Sequence, residues 1–491
     1  MIIDTKIGKL YGQKDEDSGV YSILSINYAR AERFEYPTLI QDYDDKEKFI
    51  NREGTFAFPQ KSYPLFMNVF LKHFMMRPEF LPIKDQKTED AFVVNIWTDG
   101  FEEKKPVLVF IHGGGEGSGT VPMYTMKNLA KKGLVAVSIT YRIGNFGYMP
   151  TWEGEDFSAN LTYFDQQKAL EWIRKNIGYF GGDEENITLM GHCGGGLAAL
   201  YHYLNPISNK LFDKLIICCG NLPMLKSLDQ AKKTYYQMLK DNKINSREEL
   251  KKMPKEKFMK IRKGQNDVLD GKFFAKDPLQ VIQDLDFPEK PILIGSNQDE
   301  FSMIEIPIYY KFLGIAKKEK DLKNTLKKKY GKYAERLEES FKPLSKDHID
   351  LQIQIMELNI FHSSALYLME NFSKKCPVYG YRLNEVPNLY DGLRGAYHGA
   401  ELAFFFGNLD KMNIEISEEN KRARDLIQKD WLDFVKRGKI EGRVLFNEKK
   451  EISLYENQEV TTIRFPQADL IDDLYESGIF EKERADYIDK R

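Results

Sequence analysis

Cysteine is scarce: four residues in 491, two of them adjacent at Cys218 and Cys219. So few thiols exclude a disulfide framework and fit a reducing compartment, here expected to be the cytoplasm. Long apolar runs are missing too. Stretches such as "PVLVFI" (106–111) fall far short of the roughly 20 residues that span a bilayer, so no membrane association is expected. The opening "MIIDTKIGKL" has no apolar core behind a basic start, and the closing "YIDKR" carries no lipidation or retention signal. Neither a signal peptide nor an anchor is expected. Charge of one sign is not in excess, since 72 basic residues against 74 acidic ones leave a net −2. That balance excludes a general attraction to nucleic acid. No repeat or low-complexity linker divides the chain, so one domain over residues 1–491 is expected.

What is present is an alternation of strand and helix signals. "AFVVNIWT" (91–98), "PVLVFIHGGG" (106–115) and "LVAVSITYR" (134–142) are short β-branched runs that end in glycine or polar turns. "FDQQKALEWIRKNIGYF" (164–180) has helical spacing, with Phe164, Ala169, Trp172, Ile173 and Ile177 on one face. "PILIGS" (291–296) and "VYGYRL" (378–383) read as later strands. This alternation predicts an α/β fold with a mostly parallel, twisted central sheet flanked by helices. Residues at about 225–370 read differently, as a helical, cap-like portion. Within it "KKEKDLKNTLKKKYGKYAERLEESF" (317–341) interleaves acids with its lysines and offers no aromatic stacking platform. It reads as a solvated helix face rather than an RNA-binding surface.

Two glycine clusters carry the chemistry. "NITLMGHCGGGLAALYHYL" runs strand, sharp turn, helix, with Cys193 at the tip. Gly191 and Gly195 remove side chains that would collide across so tight a turn. Cys193 is then expected to stand exposed at a helix N-terminus, whose dipole favours a thiolate over the ordinary thiol pKa of about 8.5. "IHGGGEGSG" (111–119) follows a predicted strand and supplies three consecutive glycines. Their backbone N–H groups suit a developing oxyanion, where one donor is worth roughly 10²–10³ in rate. No Gly-Lys-Ser/Thr follows and Rossmann spacing is absent, so a phosphate cradle is excluded. No cofactor and no metal is called for by this chemistry.

Together these segments resemble the type-B carboxylesterase (cholinesterase-like) family of α/β-hydrolases. The resemblance runs through "GKLYG", "SINYA", "EDAFVVNIWT", "ITYRIGNFGYM", "DQQKALEWIRKNIGYFGGDEENITLMGHCGGG" and "GAYHGAELAFFFGN" (395–408), in the family's order. It implies an α/β-hydrolase fold and hydrolysis of carboxylic esters, with a small-molecule ester as partner. Carried across by motif, Cys193 takes the nucleophile's place, His398 in "AYHGAE" is the general base and acid, and Glu300 in "GSNQDEF" is the acid that orients it. Asp299 is the rival acid. His192 is the rival histidine, with its side chain expected to point away from the sulfur's attack face. Oxyanion donors would be the N–H groups of Gly114, Gly115 and Gly194.

Departures from the pattern are as informative. The nucleophile is cysteine where relatives have serine, and His192 precedes it where they have glutamate. Phe301 replaces the glycine after the acid. Ala91 replaces a disulfide cysteine, in keeping with an intracellular setting. Cys219 in "LFDKLIICCGN" (211–221) stands where the family has a serine near the triad, to pack or to tune Cys193. Glu116 replaces an aromatic residue just after the glycine loop. It is read as a substrate-binding residue for a cationic or hydroxyl-bearing group, or as a carboxylate turned to solvent. Attack on an amide would tend to revert, expelling sulfur rather than the amine, so esters, lactones and thioesters are the expected substrates, through a thioester acyl-enzyme. Other readings stay open at this point. One is acyl transfer or thioester chemistry on the same triad. Another is a catalytically impaired, cholinesterase-like binding protein. A third is a cysteine introduced into a serine enzyme.

Overall fold

The computed structural model describes residues 1–41, 43, 49–60, 85–115, 117, 119, 125–261, 267–302, 314–387, 395–412, 415–476 and 478. Glu116 lies outside the described residues. The central sheet has eleven strands. In chain order they are β1 (Gln13–Lys14), β2 (Tyr21–Asn27), β3 (Val93–Thr98), β4 (Lys105–Ile111), β5 (Val135–Ile139), β6 (Gly182–His192), β7 (Lys214–Cys218), β8 (Ile292–Asn297), β9 (Val378–Leu383), β10 (Glu451–Glu456) and β11 (Glu459–Arg464). In space they run β11-β10-β9-β8-β7-β6-β4-β5-β3-β2-β1. The strands from β10 through β5 pair in parallel, and the flanking pairs at both ends are antiparallel.

Both faces of the sheet are buried at its central strands, which explains why those strands read as unbroken apolar runs. Period-2 alternation sends Val107, Val109 and Ile111 of β4 into one layer and Leu108 and Phe110 into the other. The first layer is closed by α1 (Leu161–Asn176) and α2 (Gly194–Leu204), through Trp172, Ile173 and Leu200. The second is closed by α3 (Ala400–Phe405) and α4 (Glu418–Arg437), through Phe404, Trp431 and Phe434. Helix α4 starts at a capping box of Ser417 and Asn420 and stops at Gly438, with acids in its first turn and Lys436 and Arg437 in its last. Each device satisfies terminal backbone groups or opposes the helix dipole. Within 317–341, helices Leu322–Tyr330 and Ala334–Phe341 bury Leu322, Leu326, Tyr330, Leu337 and Phe341 beneath exposed lysines.

The parallel register matters for function because it brings strand ends to one edge. Ile111 pairs with Gly191, His192 with Cys218, and Cys218 with Gly295. The loops that leave β4, β6, β7 and β8 therefore emerge side by side, where open α/β sheets present their ligand sites. No described helix is long and apolar enough to cross a membrane.

Candidate active site

The turn after β6 is as tight as its glycines suggest. A Cβ on Gly191 would meet the Gly195 carbonyl oxygen at 2.0 Å, and one on Gly195 would meet that of Ile111 at 2.2 Å. Cys193 absorbs the turn at φ 56°, ψ −124°, a conformation that costs a side-chain-bearing residue energy. Its N–H bonds the Cys218 carbonyl at 3.0 Å, and its carbonyl accepts the Leu197 N–H at 3.1 Å. The residue is thus held from both sides at the start of α2. It is half-buried rather than exposed, because the loop after β4 folds over it. There Gly114 and Gly115 take φ of 118° and 60°. The N–H groups of Gly114 and Gly194 hydrogen-bond the Cys193 sulfur.

Glu300 leaves the end of β8 and is 1% exposed. Its Oε1 accepts the Asn297 N–H at 2.6 Å, and its Oε2 lies 2.5 Å from His398 Nδ1. With Nδ1 committed to Glu300, Nε2 is the nitrogen left for Cys193, to which His398 is hydrogen-bonded. Asp299, the rival acid, serves the loop instead. Its carboxylate accepts the Ala396 N–H at 3.0 Å, and its own N–H bonds the Ala396 carbonyl at 3.1 Å. The Asn297 side chain donates to the Tyr397 carbonyl at 2.8 Å, so both residues steady the backbone just before His398.

Electrostatics follow from this packing. Burial pushes the Cys193 thiol up, but the His398 charge and hydrogen bond, with the Gly194 and Gly114 N–H groups, bring it below the ordinary thiol value. Burial likewise opposes the His398 charge, yet Cys193 and Glu300 hold that imidazole well above its usual range. Cys218 and Cys219 go the other way: burial raises both thiols, helped by the carboxylates of Glu300 and Glu401. Both shifts favour the charged forms, a thiolate on Cys193 and an imidazolium on His398.

Sequence similarity agrees with the fold. The Carboxylesterase family profile matches residues 1–476. The chain belongs to the carboxylesterase family. Hydrolysis of carboxylic esters is the chemistry of that family, and the chain is similar to several of its members. Pyrethroid hydrolase Ces2a of Mus musculus is 28% identical over 481 residues, covering 88% of this chain and 82% of that protein. Para-nitrobenzyl esterase of Bacillus subtilis (strain 168) is 29% identical over 422 residues, covering 80% of this chain and 84% of its own. A solved PNB esterase structure superposes with a TM-score of 0.79 at 26% identity, covering 96% of this chain and 99% of that one. The architecture is the α/β-hydrolase fold.

Around His398 the fold gathers residues that the sequence did not place beside it. The His192 ring lies 4.5 Å from that of His398, centroid to centroid. Burial, then the charge of His398, drives its pKa well below the ordinary value, so it stays neutral. The Phe361 ring lies 5.1 Å from that of His398, tilted, and meets Phe301 edge-on at 5.1 Å. The phenylalanine after Glu300 therefore belongs to an aromatic cluster next to the imidazole. Phe361 comes from a single π-helical turn, Leu358–His362, a distortion that recurs at functional sites. Glu401, fully buried on α3, accepts from the Cys219 thiol at 3.3 Å and from the Asn297 side chain. Burial and the neighbouring Glu300 push its carboxyl up to about 7. The one signal for it was an acid inside the apolar run "AELAFFF".

Proposed function

We propose that this protein hydrolyses small carboxylic esters through a thioester acyl-enzyme on Cys193, with His398 as general acid and base and Glu300 as its orienting acid. One observation carries the reading: among Cys193, Cys218 and Cys219, only Cys193 has its thiol pKa lowered, and it is the one hydrogen-bonded to His398. The Cys193 thiolate attacks the carbonyl carbon and forms the C–S bond. The oxyanion is met by the N–H groups of Gly114, Gly115 and Gly194. Collapse breaks the bond to the alcohol oxygen, which takes the His398 Nε2 proton as it leaves. Water then gives a proton to His398 and attacks the thioester, the C–S bond breaks, and the acid is released from a regenerated thiolate. The ester preference rests on the leaving group. An alkoxide aided by His398 departs more readily than an amine, against which sulfur is itself expelled. The names of the relatives, a pyrethroid hydrolase and a para-nitrobenzyl esterase, support esters as the substrate class. Four free thiols support a reducing compartment as its setting.

A pre-steady-state assay with an activated ester tests this. Cys193→Ala is expected to lose the burst and at least about 10³-fold in kcat/KM. Mass spectrometry should find the acyl group on the Cys193 peptide, removable by hydroxylamine at neutral pH. Turnover that survives complete alkylation of Cys193 would overturn the proposal.

A further inference from the structure

A second cluster shares His398 with the proposed triad and adds two residues that ester hydrolysis does not use. His192, Cys219 and His398 each present one donor atom, and the three donor atoms lie within 4.8 Å of one another. His192 is 5% exposed, and among the described residues neither of its ring nitrogens has a hydrogen-bond partner. A buried imidazole with no partner is costly and invites a ligand. Its Nε2 comes only to 3.5 Å from Glu401 Oε1, which also accepts the Cys219 thiol.

We propose that His192, Cys219 and His398 form a site for a thiophilic divalent cation of the Zn²⁺ class, whose binding withdraws His398 from catalysis and reversibly silences the enzyme. Two imidazoles and one thiolate are the donor set that zinc and cobalt favour over calcium or magnesium. Carboxylates already stand behind the ligands. Glu300 holds His398 Nδ1, as carboxylates commonly do for metal-bound histidines, and Glu401 adjoins both Cys219 and His192. Coordination replaces the Cys219 S–H bond by an S–metal bond, and the proton passes by way of Glu401 to solvent. A cation on His398 Nε2 then occupies the nitrogen that must exchange protons with Cys193 and the leaving alcohol. The inhibitory consequence rests on His398 acting as the general base; the binding itself does not.

The test separates the two. In Cys193→Ala, which lacks the proposed nucleophile, titration with Co²⁺ is expected to give one equivalent of binding with a thiolate-to-cobalt charge-transfer band that Zn²⁺ abolishes. The band should vanish in Cys193→Ala/Cys219→Ser, with thermal melting confirming that both variants are folded. His192→Gln in the same background should weaken binding about tenfold or more. In the active enzyme, Zn²⁺ should inhibit ester turnover, chelator should restore it, and Cys219→Ser should raise the inhibitory concentration about tenfold or more. Absence of the cobalt band in Cys193→Ala would overturn the site, whatever the enzyme does to esters. So would equal Zn²⁺ inhibition of the parent and Cys219→Ser, which would mean that the ion bridges Cys193 and His398 instead.

Discussion

Cys193 and His398 shift in opposite directions, and each shift stems from the other. The lowered sulfur and the raised imidazole both favour the ion pair, so the proposed mechanism expects a pH interval in which it prevails. Below that interval the thiolate is protonated and the nucleophile is lost. Above it the imidazolium gives up the proton that the leaving alcohol needs. The kcat/KM profile should therefore rise through an acid limb below the ordinary thiol range. It should fall through an alkaline limb above the ordinary histidine range. Glu300→Gln removes the charge that holds the imidazolium. Its expected effect is a drop of about 10²–10⁴ in kcat, with the alkaline limb moving to lower pH. An unmoved limb would show that Glu300 does not sustain the His398 charge. At this scale the sequence was legible where motifs repeat a known order, as for Cys193, Glu300 and His398. It was silent where a role depends on a neighbour from elsewhere in the chain. Asn297 and Glu401 meet across 104 residues, and no local pattern announces such a pair.

The elements were more legible than their junctions. Apolar runs located β3, β4, β5, β8 and β9, because a sheet buried on both faces demands apolar side chains at successive positions. The helix anticipated over 164–180 is α1, Leu161–Asn176, continued by a 3₁₀ turn to Phe180. The π-helical turn at 358–362 left no trace, since one i→i+5 turn has no period of its own. The elbow between β6 and α2 is the junction that sequence did expose, through its glycines. Its consequence is a stability prediction. Gly195→Ala would put a Cβ 2.2 Å from the Ile111 carbonyl and 2.6 Å from that of His112. Backbone on both sides must move, at a cost of about 3 kcal/mol. Denaturant unfolding checks this, and a variant as stable as the parent would refute the collision.

For the whole molecule, acid is the weak side. Burial lowers the pKa of His112, His192, His202 and His362, and neighbouring positive charge, from His398 and Arg382 respectively, lowers those of His192 and His362 further. His202 falls to about 3, held between Gln166 and Ser208. Such a histidine is neutral in the folded protein but takes a proton in the unfolded chain below about pH 6.5. The unfolded state then binds more protons, so stability is intact above that pH and declines as pH falls toward the folded value. For His202 alone the loss at pH 5 is about 2 kcal/mol. Comparison of the parent with His202→Gln at pH 8 and pH 5 measures it. The gap between them should shift in the variant's favour by about that amount as pH falls; a constant gap would refute the linkage.

The chain's periodicity and glycine placement were enough to specify an α/β sheet, a strained elbow and a glycine loop, because each depends on residues close in sequence. Long-range packing decided the rest. It set the His192 ring against that of His398. It gave Asp299 to the loop and Glu300 to the imidazole, though the two are adjacent. It lowered one thiol pKa and raised two others. Burial, charge and hydrogen bonding at a site are sums over groups brought in from distant segments, and those sums exist only once the sheet has set its strand ends side by side.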